Sequence, residues 1–330
     1  MKTAVIGAGS WGTTIADLIA RNGFPVKLWV RRAEQLVAIK AAGENERYLP
    51  GKTLAQSIEY SADIVAVAAA ADVVFIAVPS HTLREVLRQL ETAIKPAVIL
   101  VSAIKGIDTD SLQRMSEVIA GVFPHNPLAV LSGPNIAKEI AAGLPAAAVV
   151  AAKNLAVSEQ VQQLLVSDNF RVYTATDVIG VELGGALKNV MAIGAGIVNE
   201  LALGDNLRAT FMTRGLAEMI RMGVALGAEQ QTFAGLSGLG DLIVTCTSVN
   251  SRNFNAGRML AQGKSVEEIN KKLQMVAEGL KTTLAAKRLA DKYGVEMPIV
   301  EAAYQVIYKQ AVTLTTLQQL MARDKKSETE

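Results

Sequence analysis

The sequence predicts an α/β protein in two parts, a doubly wound sheet over residues 1–175 followed by an all-α domain over residues 176–330. Three observations carry this. The chain opens with a β-rich run, Thr3-Ala4-Val5-Ile6, which leads through Gly7-Ala8-Gly9-Ser10-Trp11-Gly12 into helix-compatible periodicity from Thr13 to Ala20. Strand-length apolar runs then alternate with helical stretches up to about Tyr173, the grammar of βαβ units. From Asp177 onwards long helical patterns succeed one another with no convincing strand.

Taken in order, a second strand is expected at 25–30, a helix over 33–42 and a loop over 45–51. A strand near Ile58, a short helix over 64–68 and a buried strand at 72–78 follow. Helix 81–93 leads to strand 97–102, and helix 109–120 leads to strand 128–131. A Gly-Pro turn at 133–134, a helix to Ala142, strand 146–151, helix 155–166 and strand 170–173 complete the first part. The second part reads as helices at about 177–199, 207–227, 241–246, 252–262, 265–273, 278–292 and 298–310, with Asp177 as the first N-cap. The charged tail from Arg323 is expected to fray.

Composition excludes several classes. With 33 basic against 31 acidic residues the net charge is +2, and no basic field recommends a nucleic-acid partner. The single cysteine, Cys246, rules out an internal disulfide framework and suits a reducing cytoplasm. The first strand occupies the N-terminus, so no signal peptide is expected. The apolar run 64–78 is broken by Asp72, and 184–204 carries Lys188, Asn189, Asn199 and Glu200. Neither offers the ~20 uninterrupted apolar residues of a membrane helix, so no membrane insertion is expected. No metal site is expected either.

The opening glycines sit where a dinucleotide would bind. Gly7 permits the tight turn, Gly9 lets the backbone approach a pyrophosphate and Gly12 lets helix and strand pack closely, the arrangement of a Rossmann-type unit. The helix N-terminus offers unpaired N–H groups to the phosphates. At the end of the second strand stand Arg31 and Arg32, with no acid to take ribose hydroxyls. They are either a solvated loop or acceptors for the 2′-phosphate of NADPH; the latter is favoured, with NADH not excluded.

In an open α/β sheet ligands sit outside the carboxyl ends of the strands. Three loops qualify: Pro79-Ser80-His81, Lys105-Gly106 and Ser132-Gly133-Pro134-Asn135. Lys105 follows an apolar strand directly and is the charged group expected to face the site. In the first long helix two consecutive glycines, Gly184-Gly185, imply a close approach, since each costs about 1 kcal/mol relative to alanine. Gly184, Lys188, Ala192 and Ala195 share one face, which either packs on a neighbouring helix or presents the lysine. An alcohol dehydrogenase needs a group to exchange the hydroxyl proton. His125 lies in a turn-rich stretch and His81 near the cofactor loops. Lys188, desolvated on its stripe, is the better candidate.

A last cluster runs Leu236-Ser237-Gly238-Leu239-Gly240-Asp241, then Thr245-Cys246-Thr247-Ser248 and Ser251-Arg252-Asn253. Asp241 and Ser251 could be plain helix caps. Ser-Arg-Asn at a helix start would also make a phosphate cradle, implying a small phosphorylated alcohol or ketone. Cys246 has no histidine nearby to activate it and reads as structural.

These motifs together resemble the NAD(P)-dependent sn-glycerol-3-phosphate dehydrogenases of the soluble bacterial type. The resemblance rests on Gly-Ala-Gly-Ser-Trp-Gly, Asn-x-x-Tyr-Leu-Pro-Gly at 45–51, Val-Pro-Ser-His at 78–81, Lys105-Gly106 and Ser-Gly-Pro at 132–134. It continues through Gly-Ala-Leu-Lys-Asn at 185–189, Thr213-Arg214-Gly215, Gly-Leu-Gly-Asp at 238–241 and Ser-Arg-Asn at 251–253. It implies reversible reduction of dihydroxyacetone phosphate to glycerol 3-phosphate with NADP(H) or NAD(H), feeding glycerophospholipid synthesis, by a homodimer. It further implies Lys188 as proton donor and acceptor, with Asp241 positioning it. Lys105, Gly133, Asn135, Ser251, Arg252 and Asn253 would hold the substrate. Ser10, Trp11, Arg31, Arg32, Lys105, Ala137, Arg252, Val276 and Glu278 would line the cofactor. Asn135 stands where the family usually has Ser or Thr, and Asn199-Glu200 where it has an acid followed by Gly. A hydroxyacid dehydrogenase of the same architecture and a non-catalytic dinucleotide sensor are the competing readings. An assay of NADPH oxidation with dihydroxyacetone phosphate separates them.

Overall fold

Four consecutive buried residues form β1 (Thr3–Ile6), which pairs in parallel with a strand on each side and so lies inside the sheet. The structure, a computed structural model, describes residues 1–273, 277–324 and 327. After β1 come α1 (Ser10–Arg21), β2 (Val26–Trp29), α2 (Ala33–Ala42), β3 (Ile58–Ser61), α3 (Ile64–Ala68) and β4 (Val73–Ile76). A 3₁₀ turn at Ser80–Thr82 precedes α4 (Leu83–Leu90), β5 (Ile99–Ser102), α5 (Met115–Val122) and β6 (Leu128–Ser132). Then follow α6 (Ala137–Ala141), β7 (Ala146–Ala152), α7 (Leu155–Leu165) and β8 (Phe170–Ala175). The 8-stranded sheet has the order β3-β2-β1-β4-β5-β6-β7-β8, with its carboxyl edge gathering the loops after β1, β2, β4, β5 and β6. Helices cover both faces, as the continuous burial of β1, β4 and β5 requires.

Only the β6–β7 pair is antiparallel among the named pairings. The helix expected from 109 starts only at Met115. Asp108 Oδ1 accepts the N–H groups of Asp110 (3.2 Å) and Ser111 (2.8 Å), Leu112 takes a φ of 61°, and Ile107 bridges to Arg114, so a turn precedes the helix.

The second half is helical: α8 (Val178–Glu200), α9 (Asp205–Ala225), α10 (Asp241–Thr247), α11 (Arg252–Ala261), α12 (Val266–Leu273), α13 (Glu278–Tyr293), α14 (Pro298–Lys309) and α15 (Thr313–Met321). A 3₁₀ turn at Gln230–Ala234 and a π turn at Leu236–Gly240 lead into α10. Helix α8 is the hub, packed by α9, α10, α11, α13 and α14. By length and composition it could cross a membrane, but 89% of its apolar window is buried inside the fold, so its apolarity serves the core. Asp177 caps it through Gly180 N–H (2.8 Å). Glu218 of α9 caps a different helix, accepting the N–H groups of Ile299 (2.6 Å) and Val300 (3.2 Å) at the start of α14, and burial pushes its carboxyl up to about 7.

Candidate active site

The turn after β1 is built for close approach. Gly7 has a φ of +118°, and a Cβ there would lie 2.6 Å from the carbonyl oxygen of Ala77, the residue after β4. Gly12 packs against the Gly7 carbonyl. Gly9 behaves differently: a Cβ on it would meet nothing within 4 Å, so open space stands over the N-terminus of α1, which has no side-chain cap. Trp11 Nε1 is buried there with no hydrogen-bond partner among the described residues. An open cradle, uncapped N–H groups and an orphaned donor fit a dinucleotide.

Behind this turn the protein uses neutral amides. Asn45 Nδ2 donates to the Ala8 carbonyl (3.1 Å) and to Thr13 Oγ1 (2.8 Å), and Gln35 Nε2 donates to the same carbonyl (2.9 Å). Ser10 Oγ donates to the Tyr48 carbonyl (2.9 Å). Arg32 bonds the Tyr48 hydroxyl (3.0 Å) and Gln35 Oε1 (3.3 Å), whereas Arg31 is exposed. Ala137 begins α6 with its carbonyl accepting Thr14 Oγ1 of α1 (3.3 Å).

The charged centre assembles from three distant segments. Lys188 Nζ donates to Asp241 Oδ1 (2.9 Å) and Thr245 Oγ1 (2.6 Å), and Thr245 Oγ1 donates to the same carboxylate oxygen (3.2 Å). Lys105, from the loop after β5, reaches the other oxygen, Oδ2, at 2.7 Å and the Gly133 carbonyl at 2.8 Å. Asp241 occupies the first turn of α10, but its side chain turns to the lysines instead of capping the helix. Burial lowers the Lys188 amine to about 8; Asp241 opposes that fall and the second ammonium, Lys105, adds to it. Cys246, one residue beyond Thr245, is buried with its thiol pushed up to about 12 by that burial.

The paired glycines account for the fit. A Cβ on Gly184 would lie 2.6 Å from the Ser237 carbonyl oxygen, and one on Gly185 would lie 2.5 Å from Ser132 Oγ. The two glycines therefore seat α8 against the π turn and the end of β6, one turn before Lys188.

The remaining candidates divide. Ser251 caps α11 through Phe254 N–H (3.2 Å). Asn253 bridges helices: its Nδ2 donates to Asn189 Oδ1 (2.8 Å) and its Oδ1 accepts Gly279 N–H (2.9 Å). Arg252 lies within electrostatic reach of Glu278 and Tyr48. Glu278 crosses to the sheet half, accepting Ser80 Oγ (2.6 Å) and Ser80 N–H (3.2 Å). Asn135 Nδ2 donates to the Ala147 carbonyl (3.2 Å), and its Oδ1 is buried without a hydrogen-bond partner among the described residues. Val276 lies outside the described residues. His81, on the turn after β4, interacts with Lys281, Glu278 and Arg31; partial burial and the two cations hold it below its usual value. Two participants were not anticipated. Thr245 stands four residues after Asp241 on one helix face, a spacing that signals contact. Asn189 Nδ2 approaches the Lys105 carbonyl (3.5 Å), a contact that adjacency to Lys188 could have suggested.

A sheet edge shaped for a dinucleotide, with a buried amine of lowered pKa on the adjoining helices, is the equipment of an NAD(P)-dependent oxidoreductase. Comparison with known proteins narrows this. The family model described as NAD-dependent glycerol-3-phosphate dehydrogenase N-terminus matches residues 2–158, and its C-terminus counterpart matches residues 177–318. The chain belongs to the NAD-dependent glycerol-3-phosphate dehydrogenase family. A glycerol-3-phosphate dehydrogenase of the NAD(P)+ type from Moorella thermoacetica is 47% identical over 329 residues, covering 99% of this chain and 97% of that one. Its counterpart from Bacillus subtilis is 44% identical over 332 residues, covering 100% and 96%. The crystal structure of glycerol-3-phosphate dehydrogenase from Coxiella burnetii superposes with a TM-score of 0.94 at 36% identity, covering 98% of this chain and 99% of that one. Membership makes this an enzyme that uses NAD or NADP.

Proposed function

We propose that this chain reduces dihydroxyacetone phosphate reversibly to glycerol 3-phosphate, with Lys188 as the acid–base. The observation that carries the reading is the Lys188 amine, buried, hydrogen-bonded to Asp241 and Thr245, and lowered to about 8. When bound, the nicotinamide supplies or takes the hydride. In reduction Lys188 donates its proton to the C2 oxygen as the alkoxide forms; in oxidation it takes that proton back. Asp241 and Thr245 aim the amine, and the ammonium of Lys105 adds stabilisation for the developing oxyanion.

Residues 1–175 would form the cofactor domain and 176–330 the substrate domain. Gly7, Gly9, Ser10, Trp11, Gly12, Arg31, Arg32 and Ala137 hold the dinucleotide on this reading, with Glu278 reaching over from the helical half, and the resemblance assigns Val276 to the same group. Lys105, Gly133, Asn135, Ser251, Arg252 and Asn253 hold the substrate. Lys105 and Arg252 are the cationic members of this set and would meet the phosphate's charge. A cytoplasmic homodimer supplying glycerophospholipid synthesis is part of the same proposal. The test is NADPH oxidation with dihydroxyacetone phosphate, monitored by absorbance, with Lys188→Ala alongside. Turnover that requires the lysine supports the reading. NADPH binding with no turnover on any phosphorylated ketone overturns it.

A further inference from the structure

The position of α8 against the sheet half is fixed six residues before Lys188. The side chain of Glu182 is 1% exposed, and its carboxylate turns to the N-terminal end of α5 in the sheet half. Glu182 Oε1 accepts Ser116 N–H at 2.8 Å, and Oε2 accepts Ser116 Oγ at 2.5 Å and Arg114 Nη1 at 2.9 Å. Arg114 also bonds Ser116 Oγ (2.8 Å) and Glu117 Oε1 (2.8 Å), closing the cluster. A carboxylate at a helix start meets unpaired N–H groups and the positive end of the dipole. Bonds to an ionised acceptor are about twice as strong as neutral ones.

Six residues rise about 9 Å along a helix, so this anchor stands less than two turns from the reacting amine. Every residue from Gly180 to Ile193 is buried, and Gly184 and Gly185 leave the backbone lying directly on the Ser237 carbonyl and Ser132 hydroxyl. A shift of α8 therefore passes to Lys188 without side chains to absorb it.

We infer that Glu182 is a positioning residue, which sets the height of Lys188 at the carboxyl edge of the sheet by docking α8 onto the start of α5. It acts through Lys188, and the inference rests on the acid–base reading of that residue. Glu182→Gln keeps the volume and one acceptor but sets an NH₂ against the Arg114 guanidinium. It should lower kcat by about tenfold to a hundredfold, the cost of a misplacement on the order of 1 Å. NADPH affinity, read by fluorescence, should stay within about twofold, and the isotope effect from deuterated NADPH should rise as chemistry becomes limiting. A crystal structure of the variant should show α8 shifted against β5 and β6. A folded Glu182→Gln enzyme with parental kcat, parental isotope effect and an unmoved α8 overturns the inference. Where that variant fails to fold, Ser116→Ala decides: it removes one donor, should lower kcat in the same direction by less, and overturns the inference if kcat is parental. Turnover by the parent enzyme and its loss in Lys188→Ala test the acid–base reading separately, so the two failures are distinguishable.

Discussion

The glycine turn and the charged centre handle polarity in opposite ways. Around the turn, neutral amides meet a backbone carbonyl, with Asn45 and Gln35 converging on Ala8. At the charged centre the buried polar groups are Lys188 and Asp241, paired with each other. Neutral amides hold a loop open at small desolvation cost, whereas buried ions need dedicated partners. The turn is thus organised to hold a ligand by its backbone, and the charged centre to keep a proton in play.

Removing the ion at the centre gives the sharpest contrast. Lys188→Ala should lower kcat by at least about a hundredfold while NADPH binding stays near normal, and Lys188→Arg should not restore it, since a guanidinium holds its proton. Steady-state kinetics on folded variants checks this, and a kcat within a fewfold of the parent would break the comparison. The sign of the pH dependence follows from the same amine. Its value is lowered to about 8, so the protonated form that reduction needs is lost as pH rises through that value. Reduction should therefore decline above about pH 8 and oxidation should gain, as rate profiles in both directions would reveal.

Next in size is Arg252→Ala. Loss of a charge-assisted phosphate contact, roughly 1.5–3 kcal/mol, should raise the KM for dihydroxyacetone phosphate about tenfold to a hundredfold. An unchanged KM would reduce the start of α11 to a helix cap. On the sheet side, replacing Arg31 and Arg32 together with Ala should weaken NADPH about tenfold more than NADH, because only NADPH carries the 2′-phosphate. Equal losses in titrations with the two cofactors would remove both arginines from cofactor choice. The smallest effect is expected for Thr245→Val. The hydroxyl bonds both Lys188 and Asp241; losing the bond to Lys188, about 1 kcal/mol, should cost roughly fivefold in kcat, and a parental rate would show that Asp241 alone suffices to aim the amine.

The same contrast explains what could be read from the chain. The glycine turn was legible because its parts are contiguous and the backbone does the binding. The charged centre was legible residue by residue but not as an assembly: Lys188 and Asp241 are 53 positions apart, and Lys105 and Asp241 are 136 apart. Only the fold brings two ammonium groups onto one carboxylate. Asp241 shows the limit of local inference. A glycine turn before an acid reads as a cap, yet the π turn at Leu236–Gly240 delivers the side chain inward. Helix α15 escaped notice because Thr313, Thr315 and Thr316 are poor helix formers, and packing on α14 overrides that propensity. The delayed start of α5 followed from Asp108, whose side chain offers the backbone a turn instead of a helix.

The sharing of Asp241 by Lys105 and Lys188 has a consequence for the durability of the protein. With both amines protonated the trio carries a surplus positive charge, and holding it together without a counter-ion costs the folded state. A phosphorylated substrate brings the missing negative charge and binds only the folded form, so occupancy contributes to stability as RT ln(1 + [L]/Kd). At a hundred times Kd that amounts to about 2.7 kcal/mol. The melting temperature of this enzyme should therefore report how much substrate surrounds it, with the starved protein the first to unfold.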